Sequence, residues 1–88
     1  MKTQYQIFQE NKKQAFDTIL AHISEAIDKN HNQIYIKSIK IENEEIDVVA
    51  SKELWPDSLN KALAFYKSIE DYMACANCQK LLSLLEAN

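Results

Sequence analysis

The chain has no glycine and no arginine, a single proline, a single tryptophan, and only two histidines, His22 and His31. Average usage of about 7% would place about six glycines in a chain of this length. Their absence excludes a Gly-rich phosphate loop and a dinucleotide fingerprint, both of which need backbone that no Cβ obstructs. The lack of arginine removes bidentate recognition of phosphate or guanine, and any arginine finger. Positive charge comes from ten lysines, against 13 acidic residues, for a net charge of −3. A general nucleic-acid binder needs a basic face to displace counterions, so no direct nucleic-acid binding is expected. No run of 18 apolar residues occurs, which leaves no candidate transmembrane helix and no expected membrane partner. The stretch from Met1 to Asn11 is polar and lacks a secretory core. The expected location is cytoplasmic, where Cys75 and Cys78 stay reduced.

What is present is 88 residues, 47% hydrophobic and 26% charged. That predicts one small α+β domain over 1–88, in the order α-β-β-α-α. Phe8, Ala15, Phe16, Ile19, Leu20, Ile23, Ala26 and Ile27 recur at helical spacings. They share a stripe of about 140°, which predicts an amphipathic helix over about 4–29. Thr3 with Gln6, or Asn11 with Gln14, could each form a capping box at its start. Asn30-His31-Asn32 ends it, with asparagine in the left-handed position that glycine usually fills.

Residues 33–50 predict a hairpin, rich in β-branched and aromatic residues. A two-residue loop at Asn43-Glu44 pairs Ile41 with Ile46 and Ile39 with Val48 on one face. It sets Lys40 opposite Asp47 on the other. Ile34 and Ile36 are out of step with Ile39 and Ile41, and a bulge near Lys37-Ser38 would bring all four to one face. Trp55 precedes Pro56 and is expected to be extended. Asp57 or Ser58 then caps a helix over about 57–70. Its apolar face is Leu59, Ala62, Leu63, Phe65, Tyr66 and Ile69. A last helix over about 72–86 carries Ala74, Cys75, Cys78, Leu81, Leu82 and Leu85, with Asp71 as its cap. Two helices are favoured over one of about 29 residues, because a helical hairpin buries both apolar faces within a small domain.

No catalytic signature is visible, and a non-enzyme with no cofactor is expected. Acid–base chemistry needs a positioned, tuned group, and the helical period sends most carboxylates to solvent. Cys75-x-x-Cys78 supplies two of the four ligands of a zinc site, which His22 and His31 or a second copy could complete. A redox pair of this spacing wants a helix N-terminus to lower the first thiol's pKa. Both cysteines lie instead in the middle of a helical apolar stripe, which favours core packing. Glu42, Glu44, Glu45 and Asp47 make an acidic hairpin tip. It is either a docking patch for a basic partner or a solvated turn that discourages aggregation. Trp55, Tyr35, Tyr66 and Tyr72 are candidate interface anchors or core residues. Trp55 is the leading candidate, because it sits in a connector.

Leu59, Glu70-Asp71-Tyr72, Ala76, Leu82 and Leu85-Glu86 resemble the helical hairpin of the UVR motif, found in nucleotide-excision-repair and protease-adaptor proteins. The resemblance covers residues 59–86 and implies a protein–protein interaction element. The family's Arg-Asp pair is Gln79-Lys80 here, and Cys75 and Cys78 stand where alanine and an aliphatic residue are typical. The expected function is thus a small non-catalytic module that binds a macromolecular partner or itself, as a homodimer for instance. Two alternatives stay open. One is a phage- or mobile-element-encoded inhibitor of a host defence or nucleic-acid enzyme, compatible with the acidic, arginine-free, Lys/Ile/Asn-rich composition. The other is a zinc or redox module using Cys75 and Cys78.

Overall fold

The computed structural model describes the backbone of residues 4–41 and 44–86, and the side chains of 10–39 and 44–86. The chain is α+β. Its elements are α1 (Gln4–Asp28), β1 (Gln33–Ile41), β2 (Glu44–Ser51), a 3-10 turn (Lys52–Leu54), α2 (Trp55–Ser68) and α3 (Tyr72–Glu86). The order is the expected α-β-β-α-α, with β1 and β2 forming a two-stranded antiparallel sheet. By compactness the chain divides into two units, Met1–Val49 and Ala50–Asn88.

In the first unit α1 packs on β1. Ala15, Ile23 and Ala26 from the helix and Ile34, Ile36 and Ile39 from the strand are buried. Helical spacing alone puts the first three on one face. The three isoleucines share a face only because the strand slips by one residue between them. Lys37 and Ser38 are exposed in succession, and Ser38 has left-handed backbone, with φ 59°. This is the predicted bulge, with one added residue that restores the alternation. The expected partners Ile41 and Lys40 have side chains outside the described residues, as do Phe8 and Thr3. The hairpin loop, including Asn43, lies outside them as well. The helix itself begins at Gln4, upstream of the alternative start at Asn11.

The end of α1 is sealed by Asn30, with φ 60°. Its N–H donates to the Ile27 carbonyl at 3.2 Å, and the His31 N–H to the Ala26 carbonyl at 2.8 Å. These are the paired bonds of a Schellman motif, which satisfy carbonyls that the helix leaves unpaired. The same motif separates α2 from α3. Glu70 has φ 59°, its N–H donates to the Lys67 carbonyl at 3.1 Å, and the Asp71 N–H to the Tyr66 carbonyl at 2.9 Å. Asp71 then caps α3, its Oδ1 accepting from the Ala74 N–H at 3.2 Å. Two helices therefore form, with α2 and α3 packed together as a helical hairpin.

The start of α2 differs from expectation. Trp55 is helical, at φ −63° and ψ −39°, and the helix begins there rather than at Asp57 or Ser58. Its N-cap is Leu54, which makes no side-chain capping bond, and Pro56 falls within the first turn. A proline there is tolerated because its missing N–H would have no helical partner anyway. The usual bias against a helical residue before proline is outweighed by what the helical position achieves. It buries the whole indole and lets Nε1–H donate to the Ala50 carbonyl at 3.1 Å. The second unit also buries Leu59, Ala62, Phe65 and Tyr66 of α2 and Cys75, Cys78 and Leu81 of α3.

Candidate functional site

The hairpin carries most of the residues expected to matter. Its outer face follows from the strand period of two: Asp47 and Val49 point to one side of β2, Ile46, Val48 and Ala50 to the other. Burial along β2 agrees. Ala50 is buried and Val48 half-buried, while Ile46, beyond the reach of the core, is 41% exposed. On the outer face Val49 is 58% exposed and Tyr35 of β1 53%. The Tyr35 phenol donates to Asp47 Oδ2 at 3.3 Å, which places both on that face.

Ser38 engages two of the acidic residues. The bulge takes its N–H out of the ladder, and Asp47 Oδ1 accepts it at 2.9 Å. The Ser38 hydroxyl donates to Glu45 Oε2 at 3.4 Å. Asp47 therefore holds the bulge together, a role that sequence reasoning, which placed it opposite Lys40, did not find. The signal available was the bulge itself: a displaced strand amide needs an acceptor nearby. The Asp47 charge, together with some burial and the hydrogen bond, raises the Tyr35 phenol above its usual pKa. Glu44, Glu45 and Asp47 are all exposed, and Glu42 lies outside the described residues.

Trp55, the leading candidate for an interface anchor, is instead buried. It is 0% exposed and its one polar atom is bonded to the Ala50 carbonyl. An indole so enclosed offers nothing to a partner. Tyr66 is equally buried, whereas Tyr72 and Met73, at the start of α3, are 68% and 82% exposed.

Cys75 and Cys78 are free thiols, both buried. Cys75 Sγ–H donates to the Leu63 carbonyl at 3.9 Å. Burial and the neighbouring Cys75 push the Cys78 thiol up to about 11, the opposite of what a nucleophile or metal ligand requires. Cys78 is a small apolar core residue. Among the described residues no three His, Cys, Asp or Glu side chains group so as to hold a metal ion. His22 Nδ1 lies 2.9 Å from the Thr18 carbonyl. A carbonyl can only accept, so Nδ1 carries the proton there. His31 is exposed, and its backbone serves the α1 cap.

An open cleft between α1 and β1 is lined by Asn11, Gln14, Thr18, Lys37 and Ser38 over an apolar floor. Among the described residues no carboxylate, imidazole or thiol lines it. Among the described residues no helix is long and apolar enough to cross a membrane. No family model, curated protein or solved structure matches the chain.

Proposed function

We propose that the chain is a non-catalytic interaction module that binds a macromolecular partner, or a second copy of itself, through its hairpin. The observation that carries this is the coincidence on β2 of exposed apolar side chains, exposed carboxylates and an edge that pairs with no further strand among the described residues. An open edge offers backbone donors and acceptors to an incoming strand. Ile46, Val49 and Tyr35 add apolar contact area, and Glu44 and Glu45 add charge that orients the approach. The groups with chemical potential are already engaged in the architecture: Asp47 at the bulge, Cys75 and Cys78 in the core. The UVR-type resemblance of residues 59–86 points the same way, since that family's hairpin is a protein-interaction element.

The test is affinity capture from host lysate with mild cross-linking, comparing the wild type with Ile46→Lys and Val49→Lys. Both positions are exposed, so the variants should keep the wild-type circular dichroism spectrum. They should also lose the captured protein. Capture that ignores both substitutions, or no capture and no self-association at all, would show the proposal to be wrong.

A further inference from the structure

We infer that Met73 is a reversible oxidation site: the folded chain takes up oxygen from hydroperoxides there, as methionine sulfoxide, ahead of Cys75 and Cys78. The inference goes beyond the interaction reading and stands without it.

Three sulfur-bearing residues, Met73, Cys75 and Cys78, lie close together along α3. Their intrinsic order of reactivity favours the thiols, because a thiolate is a far better nucleophile than a thioether. The fold inverts that order. Cys75 is 7% exposed and Cys78 0%, whereas Met73 is 82% exposed, more than any other large apolar side chain described. The helical period is the cause. At about 100° per residue, Met73 points about 140° away from the mean direction of the buried Cys75, Cys78 and Leu81. Chemistry adds to the steric shelter. Cys78, pushed up to about 11, stays protonated at neutral pH, and Cys75 Sγ–H is directed at the Leu63 carbonyl. A thioether has no proton to lose, so it needs only access to the oxidant.

In the step itself, a lone pair of the Met73 sulfur attacks one oxygen of the peroxide. An S–O bond forms as the O–O bond breaks. The sulfur gives up two electrons, and the departing oxygen takes the proton and leaves as water or an alcohol. The sulfoxide is polar and chiral, and in a core it would disrupt packing. At Met73 it projects into solvent, so the fold is kept while the exposed pair Tyr72-Met73 becomes more polar. The same exposure admits methionine sulfoxide reductases, which restore the thioether as two thiols close to a disulfide and the oxygen leaves as water.

The test is hydrogen peroxide treatment of the full chain at pH 7, followed by tryptic mapping. Cleavage after Lys67 and Lys80 releases residues 68–80, one peptide that carries all three sulfurs and excludes Met1. Fragmentation in the mass spectrometer then locates the oxygen. Met73 should react first, within about twofold of its rate in the urea-unfolded chain. Cys75 and Cys78 should remain free for alkylation after later unfolding, and urea should speed their oxidation by about tenfold or more. Met73→Leu should keep the wild-type circular dichroism spectrum and take up no oxygen in this peptide. The oxidised wild type should melt within about 4 °C of the untreated chain. Reductases for both sulfoxide epimers, supplied with dithiothreitol, should remove the oxygen. Oxidation of either cysteine ahead of Met73 overturns the assignment, as does a Met73 rate about tenfold slower in the folded chain than in urea. A sulfoxide that the reductases remove from the unfolded chain but not from the folded one overturns its reversibility.

Discussion

Replacing Glu70 with glycine is expected to stabilise the protein. Glu70 sits at φ 59° between α2 and α3, with its side chain exposed. A residue with a Cβ has about 1–2 kcal/mol of steric cost in that conformation. Glycine has none, but it gives the unfolded chain more freedom, which takes back about 0.5–1 kcal/mol. The two bonds of the motif run through backbone atoms, Glu70 N–H to Lys67 and Asp71 N–H to Tyr66, and survive the substitution. The net gain is about 0.5–1 kcal/mol. At about 4–8 °C per kcal/mol for a chain of this size, the melting midpoint should rise by about 2–8 °C. Thermal and urea melts followed by circular dichroism measure it. Glu70→Ala keeps the steric cost and should melt close to the wild type, while Glu70→Val, β-branched, should melt lower. The gain should shrink at Ser38, whose hydroxyl is bonded to Glu45, and be smallest at Asn30, since asparagine tolerates this conformation. Equal stability of Glu70→Gly and Glu70→Ala would refute the reasoning.

Asp47→Ala leaves the Ser38 N–H to water and should cost about 1 kcal/mol in urea melts, with Asp47→Asn costing less because an acceptor remains. Asp47→Asn should also lower the pH at which Tyr35 ionises, read as phenolate absorbance. Because folding raises this phenol's pKa, its contribution to stability is present below the ordinary phenol value and is lost as pH climbs through the folded one. At pH 8 the folded chain should leave Cys78 unlabelled by a thiol reagent, and unfolding should expose it at once. The Cys78 stabilisation should fade as pH rises from about 9 to about 11, where the folded thiol finally ionises. Trp55→Phe removes the bond to Ala50 and leaves a void, a loss of about 2 kcal/mol. The wild-type indole, fully enclosed, should emit at short wavelength until the chain unfolds.

The elements that could be located from sequence are those whose cause is local. The period of α1 and the polar Asn30 turn are written in neighbouring residues. So are the Asp71 cap and the phase slip between Ile36 and Ile39 that demands a bulge. What escaped depends on distant atoms. Trp55 looked extended because the rule for residues before proline is local, whereas the burial that overrides it is a property of the folded chain. Glu70 carries no turn signature, and its left-handed backbone follows from the packing of α2 on α3. The site residues divide in the same way. The exposure of Glu44 and Glu45 followed from composition, but the engagement of Asp47 with Ser38 and Tyr35 needed the cross-strand register.

Each compact unit is built largely from elements adjacent in the chain. Residues 29–32 separate α1 from β1, and residues 69–71 separate α2 from α3. Closing connections this short takes tens of nanoseconds, and domains dominated by such local contacts fold in microseconds to milliseconds. The consequence reaches to synthesis. A ribosome adds about 5–20 residues per second, so α1 can settle on β1 while the segment that becomes α2 and α3 is still being made. The isoleucines of β1 then spend little time uncovered.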